Sequence, residues 1–72
     1  MTDKYLLRAY IGRSGETQRQ LAEAMGISLS RLNAKINGWQ GASFSQAEMQ
    51  MIVKRYSIPD GDAFLIFLAG TA

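Results

Sequence analysis

The chain has 72 residues, 47% of them hydrophobic, and eight basic against six acidic side chains give it a formal net charge of +2. This apolar content suits the core of one small domain over residues 1–72 and is too high for a disordered chain. The sequence contains no cysteine and no histidine, which excludes disulfides and thiolate metal sites, removes the commonest general base, and argues against an enzyme or a bound cofactor.

Glycine-containing breaks divide the chain into five short elements, and none of them reads as a long strand. In the first four, apolar residues recur at spacings of three and four, which is typical of amphipathic helices. We predict an all-α fold, a compact bundle of four to five short helices. The predicted helices cover about residues 2–13, 18–25 and 29–37, with a fourth between Ser45 and Pro59.

The start of each central helix carries a capping signal. Thr17 with Gln20 and Ser45 with Glu48 form S/T-x-x-E/Q capping boxes, and Ser28 is a favourable N-cap for the third helix. The last segment, residues 62–70, is an almost unbroken apolar run ending in glycine. It is either a short buried helix capped by that glycine or a strand, because periodicity does not separate the two.

The second and third helices are joined by a tight turn at Gly26, where we expect a positive φ. Ala22 is the small residue that lets the two helices approach each other. The buried face of the third helix consists only of Leu32 and Ile36, and its remaining residues are mostly small, polar or basic. Two helices in this arrangement form a helix-turn-helix unit, whose second helix enters the major groove in DNA-binding proteins.

The pattern T-Q-x-x-L-A-x-x-x-G-I-S, closed by N-G, resembles the helix-turn-helix family of phage repressors and Cro-like regulators. K-I-N-G at residues 35–38 and F-S-x-x-E at residues 44–48 bring it closer to short prophage regulators of Gram-positive bacteria. The likeness covers about residues 5–58 and implies a lambda-repressor-like fold. Many family members have an apolar residue three after the position of Leu32, where this chain has Lys35 followed by Ile36.

The resemblance also implies roles for residues at the start of the second helix and along the third. As alternatives, Gln18, Arg31 and Lys35 are ordinary surface residues, and Leu29 serves a protein contact. The implied DNA phosphate contacts are Gln18, Arg19, Arg31, Lys35 and Asn37, and the implied base contacts are Ser28, Leu29, Ser30, Asn33 and Ala34.

Four aromatic residues are expected to take structural roles. Trp39 lies in the glycine-rich loop, and we expect it to pack against the fourth helix rather than to contact DNA. Tyr5, Tyr10 and Tyr56 are expected at the edges of the core with their hydroxyls in water.

Residues 60–72 form an apolar C-terminal segment for packing or dimerisation. Its five consecutive large apolar residues are difficult to bury within one small monomer, and leftover apolar surface tends to mark an interface. The alternative is that the segment is only the fifth helix of the core. The residues expected at a homodimer or partner interface are Phe64, Leu65, Ile66, Phe67 and Leu68.

The charge distribution agrees with a DNA partner. Residues 1–38 carry six basic and three acidic side chains, whereas residues 39–72 carry two and three; a basic region favours a polyanion. The longest apolar run is too short to cross a bilayer, and no signal peptide is visible, so we expect a cytoplasmic protein. The leading hypothesis is a regulator of a phage lysogeny switch that binds a double-stranded operator, and the alternative is a small antirepressor that binds a repressor protein.

Overall fold

The computed structural model describes residues 3–68, and within this range the chain forms five α-helices and one short 3-10 turn. The all-α prediction is confirmed, and the C-terminal segment is helical, whereas the expected glycine cap and residues 69–72 lie outside the described residues. No helix in the described part of the chain has the length and apolar character needed to cross a membrane. The elements are α1 (Lys4–Arg13), α2 (Gln18–Met25), α3 (Leu29–Asn37), the 3-10 turn (Trp39–Gly41), α4 (Gln46–Tyr56) and α5 (Asp60–Phe67).

The predicted helix starts are confirmed by their hydrogen bonds. Both capping boxes are closed in each direction, at Thr17 and at Ser45, and the Ser28 hydroxyl accepts from the backbone N–H of Arg31 at 3.1 Å. The first helix begins later than expected, at Lys4, because the Asp3 carboxylate caps it. The predicted start at residue 2 lies outside the described residues.

The junction between α2 and α3 is a Schellman turn. Gly26 has φ +74°, its N–H donates to the Glu23 carbonyl, and the N–H of Ile27 donates to the Ala22 carbonyl at 3.0 Å. Ala22 itself is buried, as expected for the residue at the contact between the two helices. The turn therefore ends α2 and fixes the direction in which α3 leaves it.

The buried apolar side chains form one cluster to which all five helices contribute. The rings of Phe44 and Phe67 meet edge to face with centroids 5.7 Å apart, a favourable arrangement for an aromatic pair. The side chains with at most 1% exposure that line this core are Leu7, Leu21, Ala22, Leu32, Ile36, Ile52 and Ile66.

The predicted interface at the C-terminal segment is wrong for two of its five residues. Ile66 and Phe67 are buried in the monomer's own core, at 0% and 5% exposure. The other three side chains point outward. α5 therefore acts both as the fifth core helix and as the carrier of exposed apolar surface.

Two hydrogen bonds attach α5 to α1. The backbone N–H of Asp3 donates to the Ile66 carbonyl at 2.7 Å, and the Tyr10 hydroxyl donates to the Asp62 carboxylate. This second bond is the main reason why the pKa of Tyr10 lies above its ordinary value. The two ends of the described chain are therefore held together across the core.

We expect Gly26→Ala to lower the free energy of unfolding by about 1–2 kcal/mol, because alanine is disfavoured at a left-handed φ. The matched control is Gly12→Ala in α1, where no positive φ is required. A Cβ at either position meets no atom within 4 Å. The control should be neutral or stabilising by up to about 1 kcal/mol. Chemical denaturation measures both variants, and equal effects would contradict the assigned backbone role of Gly26.

Candidate nucleic-acid interface

α3 buries one narrow face and leaves the opposite face open to solvent. Leu32 and Ile36 point into the core, while Ser30 and Arg31 are exposed and Ala34 is half-buried. Because a helix turns once every 3.6 residues, Ser30 and Ala34 lie opposite Leu32. The described residues leave this face uncovered.

Further polar groups lie at the N-terminal ends of α2 and α3. Arg19 is exposed and Gln18 is half-buried in the first turn of α2, beside N–H groups at a helix N-terminus that suit an anion. Ser28 is exposed at the start of α3, whereas Leu29 and Asn33 are half-buried. These positions agree with the predicted phosphate and base contacts, which remain predictions.

Lys35 does not lie on the exposed face of α3 that its predicted phosphate contact requires. Its side chain is only 10% exposed, and its ammonium lies 2.8 Å from the Glu48 carboxylate and 3.3 Å from the Ser43 carbonyl. It occupies the position at which the regulators that this sequence resembles are expected to have an apolar residue, and it neutralises the carboxylate that caps α4. Lys35 thus attaches α3 to α4 and is not positioned to bind a phosphate.

Asn37 also bonds within the protein. Its side-chain amide donates to the Asn33 carbonyl at 2.8 Å, and its side-chain oxygen lies 3.4 Å from the Lys4 ammonium. Both ends of this side chain are engaged, so the predicted phosphate contact of Asn37 is weakened. The contact places Lys4, for which no sequence pattern predicted a role, at the C-terminal end of α3.

Glu16 ties the turn before α2 to the end of α4. Its carboxylate accepts from the Arg55 guanidinium and from the Tyr56 hydroxyl, the latter at 2.7 Å. The bonds from Arg55 and Tyr56 lower the pKa of Glu16, and burial followed by the bond to Glu16 raises the pKa of Tyr56. Because Glu16 immediately precedes the cap residue Thr17, this cluster positions the first turn of α2.

Two of the expectations for aromatic residues are wrong. Trp39 is 58% exposed and Tyr5 is 73% exposed, and neither belongs to the core cluster or its partly buried margin. Tyr10 and Tyr56 do lie at the margin. Their hydroxyls were expected to contact water. Instead, they donate hydrogen bonds to the carboxylates of Asp62 and Glu16.

A second surface lies between α4 and α5, away from the motif. Phe64 and Leu68 are each about half exposed there. They line an open groove between the two helices, whose apolar walls also include Met49 and Val53. Leu65 is half exposed as well, but it lies outside the walls of this groove. This surface is apolar, in contrast to the polar face of α3.

No protein-family profile matches this sequence, and it has no significant similarity to a curated protein or a solved structure. The functional assignment therefore depends on the residues and their geometry.

We expect Glu48→Gln to lower the free energy of unfolding at neutral pH by about 1–2 kcal/mol, because it removes charge-assisted hydrogen bonds. Burial raises the pKa of Glu48, but the bonds from Lys35 and Ser45 outweigh burial and leave the pKa below 4.5. As the pH falls, Glu48 in the unfolded chain therefore binds a proton before Glu48 in the folded chain does. The contribution of the Glu48 carboxylate to the free energy of unfolding is present above pH 4.5 and is lost as the pH falls below that value.

Urea denaturation between about pH 3 and pH 7 measures this effect. Glu48→Gln should show a flatter pH dependence than the unchanged protein. Glu23→Gln, on the exposed face of α2, is the matched control and should retain the full dependence. A slope in Glu48→Gln equal to that of the control would contradict the assigned ion pair.

Proposed function

We propose that this protein is a sequence-specific DNA-binding transcriptional regulator that inserts α3 into the major groove. The observation that carries the proposal is the division of α3 into a core face, anchored by Leu32 and Ile36, and an uncovered face with Ser30 and Arg31 exposed. An α-helix of this kind fits the major groove, and its side chains then reach the base edges.

Within this proposal, the residues divide into positioning and reading groups. Gln18, Arg19 and Arg31 contact phosphates on both sides of the groove, and they fix the register of the protein on the duplex. Ser28, Ser30 and Asn33 meet base edges, where the amide of Asn33 suits adenine. Ala34 approaches a thymine methyl group, and Leu29 packs at the edge of the contact.

The resemblance to short prophage regulators supports a role in a phage or prophage lysogeny switch. A regulator of this kind acts in the cytoplasm on operators that are often palindromic, and it binds them as a dimer. The α4–α5 surface supports pairing of two copies, because it presents half-exposed protruding side chains, Phe64 and Leu68, at an apolar groove. A surface that offers both shapes can be self-complementary across a two-fold axis.

A second candidate is a small antirepressor that uses the same scaffold to bind a repressor protein. The exposed apolar side chains of α5, Phe64 and Leu65, favour this candidate. Aromatic residues are frequent anchors of protein interfaces. The two candidates differ in their binding to duplex DNA and in its salt dependence.

We expect the affinity for duplex DNA to fall steeply with salt, with a log–log slope of about −0.9 for each phosphate neutralised. Arg19→Ala and Arg31→Ala should each reduce the magnitude of the slope by about 0.9 for each bound copy, or about 1.8 for a bound dimer. Fluorescence anisotropy of a labelled duplex carrying the intergenic DNA beside the gene measures this slope. Lys54→Ala removes an exposed charge from α4 and is the matched control. Because Lys54 lies at the proposed pairing surface, the slopes are compared at a protein concentration at which sedimentation gives both proteins the same mass, and Lys54→Ala should then leave the slope unchanged. Absence of duplex binding at low salt, with tight binding to a repressor, would favour the antirepressor.

We expect Phe64→Glu to shift a concentration-dependent dimer to monomer, because Phe64 lines the groove and a charge there would be buried at the pairing surface. Sedimentation equilibrium measures the mass, and circular dichroism verifies that the helices remain. Ala24→Glu adds the same charge at an exposed position on α2 and should leave the dimer intact. An unchanged dimer in Phe64→Glu, or a monomer at all concentrations in the unchanged protein, would rule out pairing through the α4–α5 surface.

A further inference from the structure

Trp39 is the single tryptophan of the chain, and its position is unusual for that residue. It is 58% exposed, although tryptophan is highly buried on average. It follows Gly38, the C-cap of α3, which has φ +72°. The indole therefore lies immediately beyond the helix that we propose to read the bases.

The backbone around Trp39 forms a defined tight turn. The carbonyl of Trp39 accepts from the N–H of Ala42 at 2.9 Å, and the two residues between them, Gln40 and Gly41, have φ +54° and +77°. A left-handed conformation is disfavoured for glutamine. The turn nevertheless adopts this conformation. It leaves the indole exposed to solvent and outside the hydrophobic core.

A cation lies at the same end of α3. The Lys4 ammonium is 3.4 Å from the side-chain oxygen of Asn37 and 5.4 Å from the ring centroid of Tyr5. Tyr5 is 73% exposed. A cation–π contact and a hydrogen bond thus hold Lys4 at the end of α3 where the Trp39 turn begins.

The chemistry of this surface favours a polyanion over a protein partner. The residues that follow Trp39 are Gln40, Gly41, Ala42 and Ser43. All are exposed except the half-buried Ala42, whose single methyl group is the only apolar side chain among them. They therefore do not supply the apolar surroundings that enclose an interface hot spot. A nearby ammonium and an indole N–H are both donors without acceptor capacity. Such donors suit phosphate oxygens, and the flat indole face suits the apolar side of a deoxyribose.

We propose that Trp39 and Lys4 form a second DNA contact, to the sugar-phosphate backbone beside the groove that α3 enters. The indole covers a sugar and donates its Nε1–H to a phosphate oxygen, while Lys4 pairs with a phosphate. This contact rests on the proposed function and extends it, because it lengthens the footprint past the C-terminal end of α3. The contact is sequence-independent, so it contributes affinity and register and leaves the base preference to α3.

The single tryptophan makes a direct test possible, since all indole emission comes from this position. Titration of the full chain at low salt uses two probes, a labelled mixed-sequence duplex and a labelled duplex of the intergenic DNA. Indole emission and label anisotropy are recorded together. We expect the emission to change and to saturate in parallel with the anisotropy, and to recover when salt dissociates the complex.

Variants separate the indole from the cation. Trp39→Ala should weaken duplex binding by about tenfold, equivalent to about 1.4 kcal/mol, without changing the log–log salt slope, and Trp39→Phe should retain part of the affinity. Lys4→Ala should reduce the magnitude of the slope by about 0.9 for each bound copy. Lys54→Ala, compared at a protein concentration at which both variants have the same oligomeric state, is the matched control. The melting temperature of Trp39→Ala should stay within about 3 °C of the unchanged protein, because the side chain is exposed.

The outcomes distinguish this contact from the proposed function. Duplex binding without a change in indole emission, together with unchanged affinity in Trp39→Ala, would overturn the Trp39 contact and leave the DNA-binding proposal standing. Absence of duplex binding at low salt would overturn both. A change in emission that follows protein concentration without DNA would assign Trp39 to self-association and would also overturn the contact.

Discussion

The packing of α3 against α2 through the Gly26 turn is the constraint on which the rest of the structure depends. The turn requires a left-handed residue, and the close contact requires the small Ala22. Leu32 and Ile36 then hold α3 by one narrow face. Because these two side chains are enough to anchor α3 in the core, the opposite face of the helix remains exposed to solvent. The polar side chains of that face are the ones that we propose to contact DNA.

Much of this arrangement is readable from the sequence because local signals and tertiary packing agree. Capping residues at Thr17, Ser28 and Ser45 mark helix starts through short-range hydrogen bonds, and Gly26 marks a backbone requirement. Each signal lies within a few residues of the feature that it specifies. The helix boundaries in the middle of the chain are therefore predictable to the residue, and the apolar stripe of α3 identifies its inner face.

The sequence was less informative wherever a side chain depends on a partner distant along the chain. Lys35 resembles a surface cation until Glu48, 13 residues later, is brought within 2.8 Å. Periodicity did indicate its position, since Lys35 lies three residues after Leu32 and one before Ile36. Trp39 shows the opposite case, because its size suggested burial and only the tight turn reveals that the core excludes it.

The proposed division of labour follows from these contacts. Glu16 with Arg55 and Lys35 with Glu48 use charges to hold α2 and α3 against α4, which leaves Arg19 and Arg31 as exposed cations of the motif. The apolar side chains of α5 lie on a separate surface. Recognition and pairing are thereby assigned to different elements, and either can change without disturbing the other.

The most direct test of the central claim is a titration of isotope-labelled protein with duplex DNA, followed by amide chemical-shift changes in NMR spectra. If α3 enters the major groove, the largest shifts will lie at the first turn of α2 and along residues 28–34, while α5 will change only through pairing. If the largest shifts lie on α4 and α5, or if no amide of α3 responds at saturating DNA, the claim is wrong.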